Sequence, residues 1–436
     1  MSLSCSPGSD AIRAQASCCD DHDPHSLPVP VALARIQTAV QPVTASEQVA
    51  LRAALGRVLA ADVVSPIDVP AHVNSAMDGY AVRAADLPDE GTVTLAVVGT
   101  AFAGAAWDGR LASGQAVRIM TGAVLPEGAD CVVMQEQTER EQGGDQEGGQ
   151  DRVRIGRGHR AGQNIRLAGE DLKTGETVLA AGRRVQPADL GVLASLGVAE
   201  VRVRRRLRVA FFSTGDELRS IGEPLAAGCV YDSNRYSLYG MLSRLGVELI
   251  DMGVVRDDRE ALQAAFREAA ACADAVITSG GVSVGEADFV KDTLLSLGRI
   301  DFWKLAMKPG RPLAFGRLGE AVFFGLPGNP VSVVVTFYQF VQPALRRMMG
   351  MNAVQPVTLQ VPTLARLKKR PGRTEFQRGV LEQRDDGSMA VRPTGDQGSG
   401  ILSSVSRADC FIVLAADSSG VEAGDTVTVQ PFEGLF

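Results

Sequence analysis

Four short, almost uninterrupted apolar runs constrain the fold of this chain more than anything else in it. They are RVAFF (208–212), LIDMGVV (249–255), DAVIT (274–278) and AVFFG (321–325). Runs of this length without polar alternation suit strands covered on both faces. The segments between them keep a helical period. Leu238, Met241, Leu242 and Leu245 fall at i, i+3, i+4 and i+7, with Asp232 or Ser233 placed to cap the start and Gly246 to stop it. Leu262, Ala265, Phe266 and Ala269 repeat the spacing after Asp257–Asp258, and Val290, Leu294 and Leu297 do so before Gly298. Strand and helix in alternation imply right-handed crossovers, so residues 201–350 are predicted to form an α/β domain around a doubly wound, mostly parallel sheet.

With 436 residues the chain exceeds one ordinary core, and further domains are expected. VALARIQTAV and ASEQVALRAALGRVLA, after Pro28, read as two helices. Residues 28–70 are expected to join residues 152–200 in one domain, with the short β-like runs of 71–151 inserted as another. EREQGGDQEGGQD (139–151) reads as a flexible loop joining two strands. From 351 to 436, alternating runs such as FQRGVLEQ, CFIVLAA and TVTVQPF, separated by turns, predict a small all-β domain without helical periodicity. Residues 1–27 read as a disordered extension. Its Cys18, Cys19, His22 and His25 suggest a metal site, but their spacing is not that of structural zinc.

A formal net charge of −7 argues against a general nucleic-acid or anionic-membrane binder. The longest apolar candidate for a membrane span, near Val331–Val341, contains Ser332, Thr336 and Gln339. The N-terminal residues lack a basic start and an apolar stretch, so no secretory signal is expected. Seven scattered cysteines fit free thiols in a reducing compartment, and a cytoplasmic protein is expected.

In a doubly wound sheet, ligands bind beyond the carboxyl ends of the strands. STGDEL (213–218), Asp257, the Gly280–Gly281 turn and LPGNPVS (326–332) all fall at that edge. In TSGGVSVGEADF (278–289) the glycines allow a ligand close to the backbone, and a helix starting near Glu286 would aim its N–H groups at a phosphate. The plainer reading is a tight strand-to-helix turn capped by Glu286 or Asp288. Glu217, Asp257 and Asp288 would each serve as a helix cap or a solvated acid. Gathered beside a phosphate, however, they call for a cation, and Mg2+ is the usual one. In FWKLAMKPGRP, extended backbone puts Lys304, Ala306 and Lys308 on one face, as an oxyanion site or as a solvated strand face. Pro327 and Pro330 stiffen the neighbouring loop, where Asn329 and Ser332 offer donors.

NSAMDGYAV (74–82), RIMTGAVLPEGAD (118–130), SGGVSVGEADF (279–289), WKLAMKPGRP (303–312), GLPGNPVS (325–332) and QGSGILSS (397–404) together resemble the molybdopterin molybdenumtransferases, relatives of the gephyrin E domain. SGGVSVGEADF alone would also fit the smaller molybdopterin adenylyltransferases. The resemblance runs from about Pro28 to the C-terminus. It implies an elongated N-terminal domain, an inserted domain, an α/β domain of the molybdopterin-binding type and a C-terminal barrel-like β domain. It further implies a homodimer that binds adenylyl-molybdopterin and molybdate, cleaves the adenylyl phosphoanhydride with magnesium, and releases AMP and molybdenum cofactor. Molybdopterin adenylyltransferase and apo-molybdoenzymes are the protein partners it suggests. On this resemblance Glu217, Asp257 and Asp288 surround the metal and phosphates, while Gly280, Gly281 and Ser283 hold phosphate or pterin. Asp78 and Thr121 approach from the inserted domain across a dimer cleft. Lys304 and Lys308 flank the anions, and Ser332, Arg373 and Ser399 help to hold molybdate. Arg311 stands where the family commonly has lysine, keeping the charge. Two other functions fit parts of the pattern: the preceding adenylyl transfer from ATP, which needs only an α/β unit, and a non-catalytic dimeric scaffold for a partner peptide.

Overall fold

The computed structural model describes residues 26–141, 151–280, 289–352 and 355–432. The cysteines and histidines at 18–25 therefore lie outside the described residues, as do Gly281, Ser283, Glu286 and Asp288. The chain divides into two compact units, Gln48–Val203 and a unit made of Met1–Glu47 with Arg204–Phe436. No helix among the described residues is long and apolar enough to cross a membrane.

The first predicted helix is α1 (Val29–Ala39), which buries Ala32 and Ile36. The second does not form. Ser46–Ala50 is a strand, and Leu51–Ala54 is a single 3-10 turn. Gly56 then takes a φ of +73° that breaks any helix. The backbone of this stretch bonds to residues far along the chain, Gly56 N–H to Val185 O at 2.9 Å and Leu59 N–H to Arg183 O at 3.0 Å. Partners so distant in sequence leave no trace in local periodicity.

Within Gln48–Val203, a six-stranded sheet is built from β1 (Gly79–Val82), β2 (Thr92–Ala101), β3 (Gln115–Ile119), β4 (Cys131–Met134), β5 (Thr138–Glu141) and β6 (Arg152–Gly156), in the order β4-β1-β3-β2-β6-β5. The predicted loop at 139–151 begins later than expected, because β5 continues to Glu141 and pairs antiparallel with β6. Arg154 faces its register partner Glu139 at 3.2 Å and reaches diagonally to Glu141, which gives the acidic stretch a reason to stay extended. Residues 142–150 lie outside the described set. The chain before and after this sheet pairs with itself, Asn74–Ser75 with Ile165–Arg166 and Val63–Val64 with Thr177–Leu179. Helix α2 (Pro187–Ser195) closes the unit with a capping box between Gln186 and Asp189.

The second unit holds the α/β layer. Its elements are β7 (Arg208–Thr214), α3 (Ser233–Leu245), β8 (Glu248–Val255), α4 (Arg259–Cys272), β9 (Ala275–Ser279), α5 (Phe289–Leu297), β10 (Gly298–Lys304), β11 (Met307–Lys308), β12 (Pro312–Leu318), β13 (Ala321–Leu326), α6 (Pro330–Thr336) and α7 (Gln342–Met348). A π-helical segment, Phe337–Val341, joins α6 to α7. Asp232 caps α3, accepting from Arg235 N–H at 3.1 Å, and Gly246 ends it in the left-handed conformation. Asp258 caps α4. The sheet order is β8-β7-β9-β13-β12-β10, with β8, β7, β9 and β13 parallel and β12 antiparallel to its neighbours. Phe266 packs tilted against Phe212 and edge to face against Phe323 in the core between this sheet and its helices.

At the opposite strand ends, Asp274 takes two hydrogen bonds from the Arg205 guanidinium, both at 2.7 Å, and one from Arg208 N–H at 2.8 Å. Burial pushes this carboxyl upward, but the Arg205 and Arg208 bonds outweigh it and hold it below the ordinary carboxylate range. Stability from such a group is present above its unfolded pKa and disappears as pH falls through the lower folded value. Asp274→Asn is expected to cost about 2 kcal/mol at pH 7. A thermal melt should show a fall on the order of 5 °C there, narrowing as the pH is taken below about 4, from the unfolded pKa down through the lower folded one. A deficit that stays constant over that range would contradict this account of the pair.

The C-terminal sheet comprises β14 (Leu359–Pro362), β15 (Thr374–Gln383), β16 (Met389–Pro393), β17 (Cys410–Leu414) and β18 (Thr426–Pro431), with a short helix, α8 (Leu402–Ser406), absent from the sequence expectation. Five residues are too few to show a helical period. The order is β11-β15-β17-β18-β14, with β16 on the other side of β15. Thus β11, two residues long, joins this sheet although it lies between strands of the α/β sheet in sequence.

Candidate active site at the strand ends

From β7 the chain crosses by α3 to β8 on one side, whereas β9 lies on the other side of β7. Their carboxyl ends therefore flank the switch point of the sheet, where a crevice must open. Two glycines shape it. Gly280 has a φ of +93°, and a Cβ there would stand 2.6 Å from the carbonyl oxygen of Thr214. Only glycine lets the loop after β9 lie on the loop after β7. Gly280 N–H is held by Leu326 O at 3.1 Å, which ties in the end of β13. Gly215, with a φ of +148°, leaves room for the Glu217 carboxylate where a side chain would collide with it.

The acids follow. Asp257 N–H donates to Asp216 Oδ1 at 3.3 Å, linking the loops after β8 and β7. Asp257 Oδ1 is buried and has no hydrogen-bond partner among the described residues. Burial, then the charges of Asp216, Glu217 and Asp258, push the Asp257 carboxyl above its ordinary range. Among the described residues, no group of three His, Cys, Asp or Glu side chains is arranged to hold a metal ion. A cation is nevertheless suited to what is there: a buried carboxylate oxygen lacking a donor, destabilised by neighbouring negative charge. The donor set fits the open form of a magnesium site, in which one or two carboxylates share the ion with substrate phosphates.

Behind the glycine turn lies a buried polar layer whose Asp232 and Asn234 sequence reasoning did not assign to the site. Asn234 Nδ2 donates to Ser279 Oγ at 2.8 Å and to Gly328 O at 2.7 Å, and Ser213 Oγ donates to Asp232 Oδ1 at 3.0 Å. Helix capping explains Asp232 locally and so concealed its second contact. Asn234 thereby couples the end of β9 to the LPGNP loop. From that loop, Asn329 Nδ2 reaches Ser399 Oγ at 3.3 Å, and Val331 N–H reaches Ser399 O at 3.1 Å. Ser332 is buried in the first turn of α6, and Gly310, with a φ of +96°, packs where a Cβ would lie 2.7 Å from Thr336 Oγ1 and 3.6 Å from Ser332 O. The PGR turn that follows Lys308 is thus seated on α6.

Lys304 and Lys308 do fall on the more exposed side of an alternating stretch, with Leu305 and Met307 buried between them. They belong to different sheets, however: Lys304 ends β10, while Lys308 pairs with Glu375 of β15. Lys308 Nζ lies 3.7 Å from Glu375 Oε1. Burial lowers the pKa of Lys369, opposed by the charges of Glu375 and Asp417 and reinforced by those of Arg373 and Lys308. Lys308, Lys369 and Arg373 therefore share one cationic neighbourhood. Arg378, 1% exposed, supports the Ser399 loop by donating to Ser404 Oγ at 3.0 Å and Gly398 O at 3.1 Å. Burial brings its guanidinium down to about 10, so it stays charged near neutrality. Glu375, Lys369 and Arg378 were not anticipated, because polar residues in an alternating strand read as its solvent face.

In the other unit, Asp78 accepts from Thr121 N–H at 2.7 Å and Thr121 Oγ1 at 2.8 Å, which holds its carboxyl below the ordinary range. Both residues are exposed.

Comparison with known proteins accords with this layout. Residues 27–197 match the MoeA N-terminal region (domain I and II), residues 210–347 a probable molybdopterin binding domain, and residues 360–432 the MoeA C-terminal region (domain IV). The chain is 46% identical over 393 residues to a molybdopterin molybdenumtransferase of Haemophilus influenzae, covering 90% of this chain and 95% of that one. The chain belongs to the molybdopterin molybdenumtransferase family. A Bacillus subtilis protein of the same name is 35% identical, with 88% of this chain and 89% of that one covered. The crystal structure of the molybdopterin biosynthesis moeA protein from Pyrococcus horikoshii OT3 superposes with a TM-score of 0.79 at 31% identity, covering 93% of this chain and 100% of that one. Membership makes the chain a transferase of molybdenum cofactor biosynthesis, with the multidomain α/β plan expected from its sequence.

Proposed function

We propose that the protein inserts molybdate into adenylyl-molybdopterin, cleaving the adenylyl phosphoanhydride with magnesium and releasing AMP and molybdenum cofactor. The observation that carries this reading lies at the switch-point strand ends: Gly280 packs on Thr214, and a buried Asp257 oxygen, without a hydrogen-bond partner among the described residues, stands among the charges of Asp216, Glu217 and Asp258. In this reading the turn at Gly280 and Gly281, with Ser283, grips the adenylyl-linked phosphates by backbone N–H groups. Glu217 and Asp257 hold the cation, and Asp288 completes the set. Magnesium, when bound, would offset the phosphate charge and polarise the anhydride. Lys304 and Lys308 stabilise the anions, while Ser332, Arg373 and Ser399 orient molybdate beside the pterin dithiolene. Asp78 and Thr121 contribute from the partner subunit of a cytoplasmic homodimer.

The test is direct. Purified protein with magnesium, molybdate and adenylyl-molybdopterin is expected to release AMP in a molybdate-dependent manner. It should release no pyrophosphate from ATP and molybdopterin. The reverse result would assign it the preceding adenylyl transfer.

A further inference from the structure

The proposed oxyanion site contains an acid that anion binding alone does not call for. Glu375 is 7% exposed, and its Oε1 lies 3.7 Å from Lys308 Nζ. Its Oε2 accepts from Gln377 Nε2 at 3.1 Å, and the same amide donates to Lys368 O at 3.1 Å, so the carboxylate is braced from behind. Lys308 and Glu375 are register partners in the parallel pairing of β11 with β15, which fixes the distance between their backbones.

The nearby cations differ in what they can still bind. Lys369, 8% exposed, gives its ammonium to the carbonyls of Arg370, Ala416 and Ser418 at 3.1, 3.1 and 3.0 Å. It is a fixed charge that anchors the turn carrying Arg373. Arg373 makes no ion pair or side-chain hydrogen bond among the described residues. Lys308 and Arg373 are therefore the groups left to meet an oxyanion, and Glu375 and Asp417 are the acids whose charge reaches this cluster.

We infer that Glu375 is a positioning and affinity-setting residue for the oxyanion: it holds Lys308 in place and cancels part of the cluster's charge, so that the bound anion can still leave. This rests on the oxyanion assignment made above. The two roles predict opposite effects of one substitution. Glu375→Gln keeps the shape and the Gln377 contact but removes the negative charge. A dianion should then bind more tightly, because the local potential becomes more positive. Turnover should fall, because Lys308 is no longer tethered.

The experiment pairs equilibrium dialysis of molybdate with AMP release at saturating molybdate, using the full-length wild type, Glu375→Gln and Glu375→Asp. For Glu375→Gln the molybdate Kd is expected to drop about three- to tenfold and turnover to drop on the order of tenfold. Glu375→Asp retains the charge and should bind molybdate as the wild type does, with intermediate turnover. Partial misfolding would lower turnover without tightening binding. That result, or weaker binding in Glu375→Gln, or no change in either measure, overturns the inference; tighter binding with full turnover overturns the tether. If the wild type binds molybdate but releases no AMP, the proposed reaction fails, while the comparison of Kd values still decides the role of Glu375.

Discussion

Asp257→Asn is expected to abolish most magnesium-dependent AMP release while leaving the protein as stable as the wild type or more so. The reason lies in the same observation that nominates the residue. Its carboxyl is raised by burial and by Asp216, Glu217 and Asp258, so its ionised form is disfavoured in the folded protein. A carboxyl with a raised folded pKa contributes stability below its unfolded value and loses it as pH rises through the folded one. Near neutrality, therefore, ionised Asp257 weakens the fold, and a neutral amide of equal size relieves it. If the carboxylate helps to hold a cation worth several kcal/mol of transition-state stabilisation, its loss corresponds to roughly 10²- to 10³-fold in rate. The wild type should also need more magnesium as pH falls through the raised pKa, since the protonated carboxyl is a poor ligand. Asp257→Asn turnover within a few-fold of wild type, or a Tm several degrees lower, would refute the assignment.

Gly280→Ala should have the second large effect, by a different route. The added methyl must sit at a φ of +93° and 2.6 Å from Thr214 O, so strain and collision act together. Strain of this kind costs about 1–3 kcal/mol. Forcing the loops after β7 and β9 apart by even an ångström would misplace phosphate and carboxylates, on the order of a 10²-fold loss in turnover. Gly319→Ala separates the two causes. Gly319 also has a positive φ, +56°, but a Cβ there meets nothing within 4 Å, and it turns the chain between β12 and β13 at the far end of the sheet. It should lose about 1 kcal/mol and keep full turnover. Equal activity in the two variants would show that the close approach at Gly280 does not matter.

Much of the α/β layer was legible because its determinants are local. Asp232 and Asp258 cap helices, Gly246 stops one, and the apolar stretches 209–212 and 275–278 lie in strands buried on both faces. Sequence reading failed where a local pattern was overruled from a distance. The apolar spacing of 45–59 fits a helix, yet its backbone bonds to residues 183–185, 199 and 203, and Gly56 turns the chain. Lys304 and Lys308 share a face by alternation, as expected, but the alternation carries no sign that the chain changes sheets between them. Glu375 and Gln377 looked like a solvent face, because alternation specifies that two faces differ and not which of them is covered.

The four parallel strands of the α/β layer, the caps of the helices between them, and the presence of glycines and acids at its carboxyl edge follow from this sequence alone, since each depends on residues a few positions apart. Tertiary structure alone decided which acids face one another, that Gly280 lies on Thr214, and that a lysine from one domain's strand is held by a glutamate of another's. Those relations depend on chain segments tens of residues apart being brought within a few ångströms, and only packing of the whole unit sets such distances.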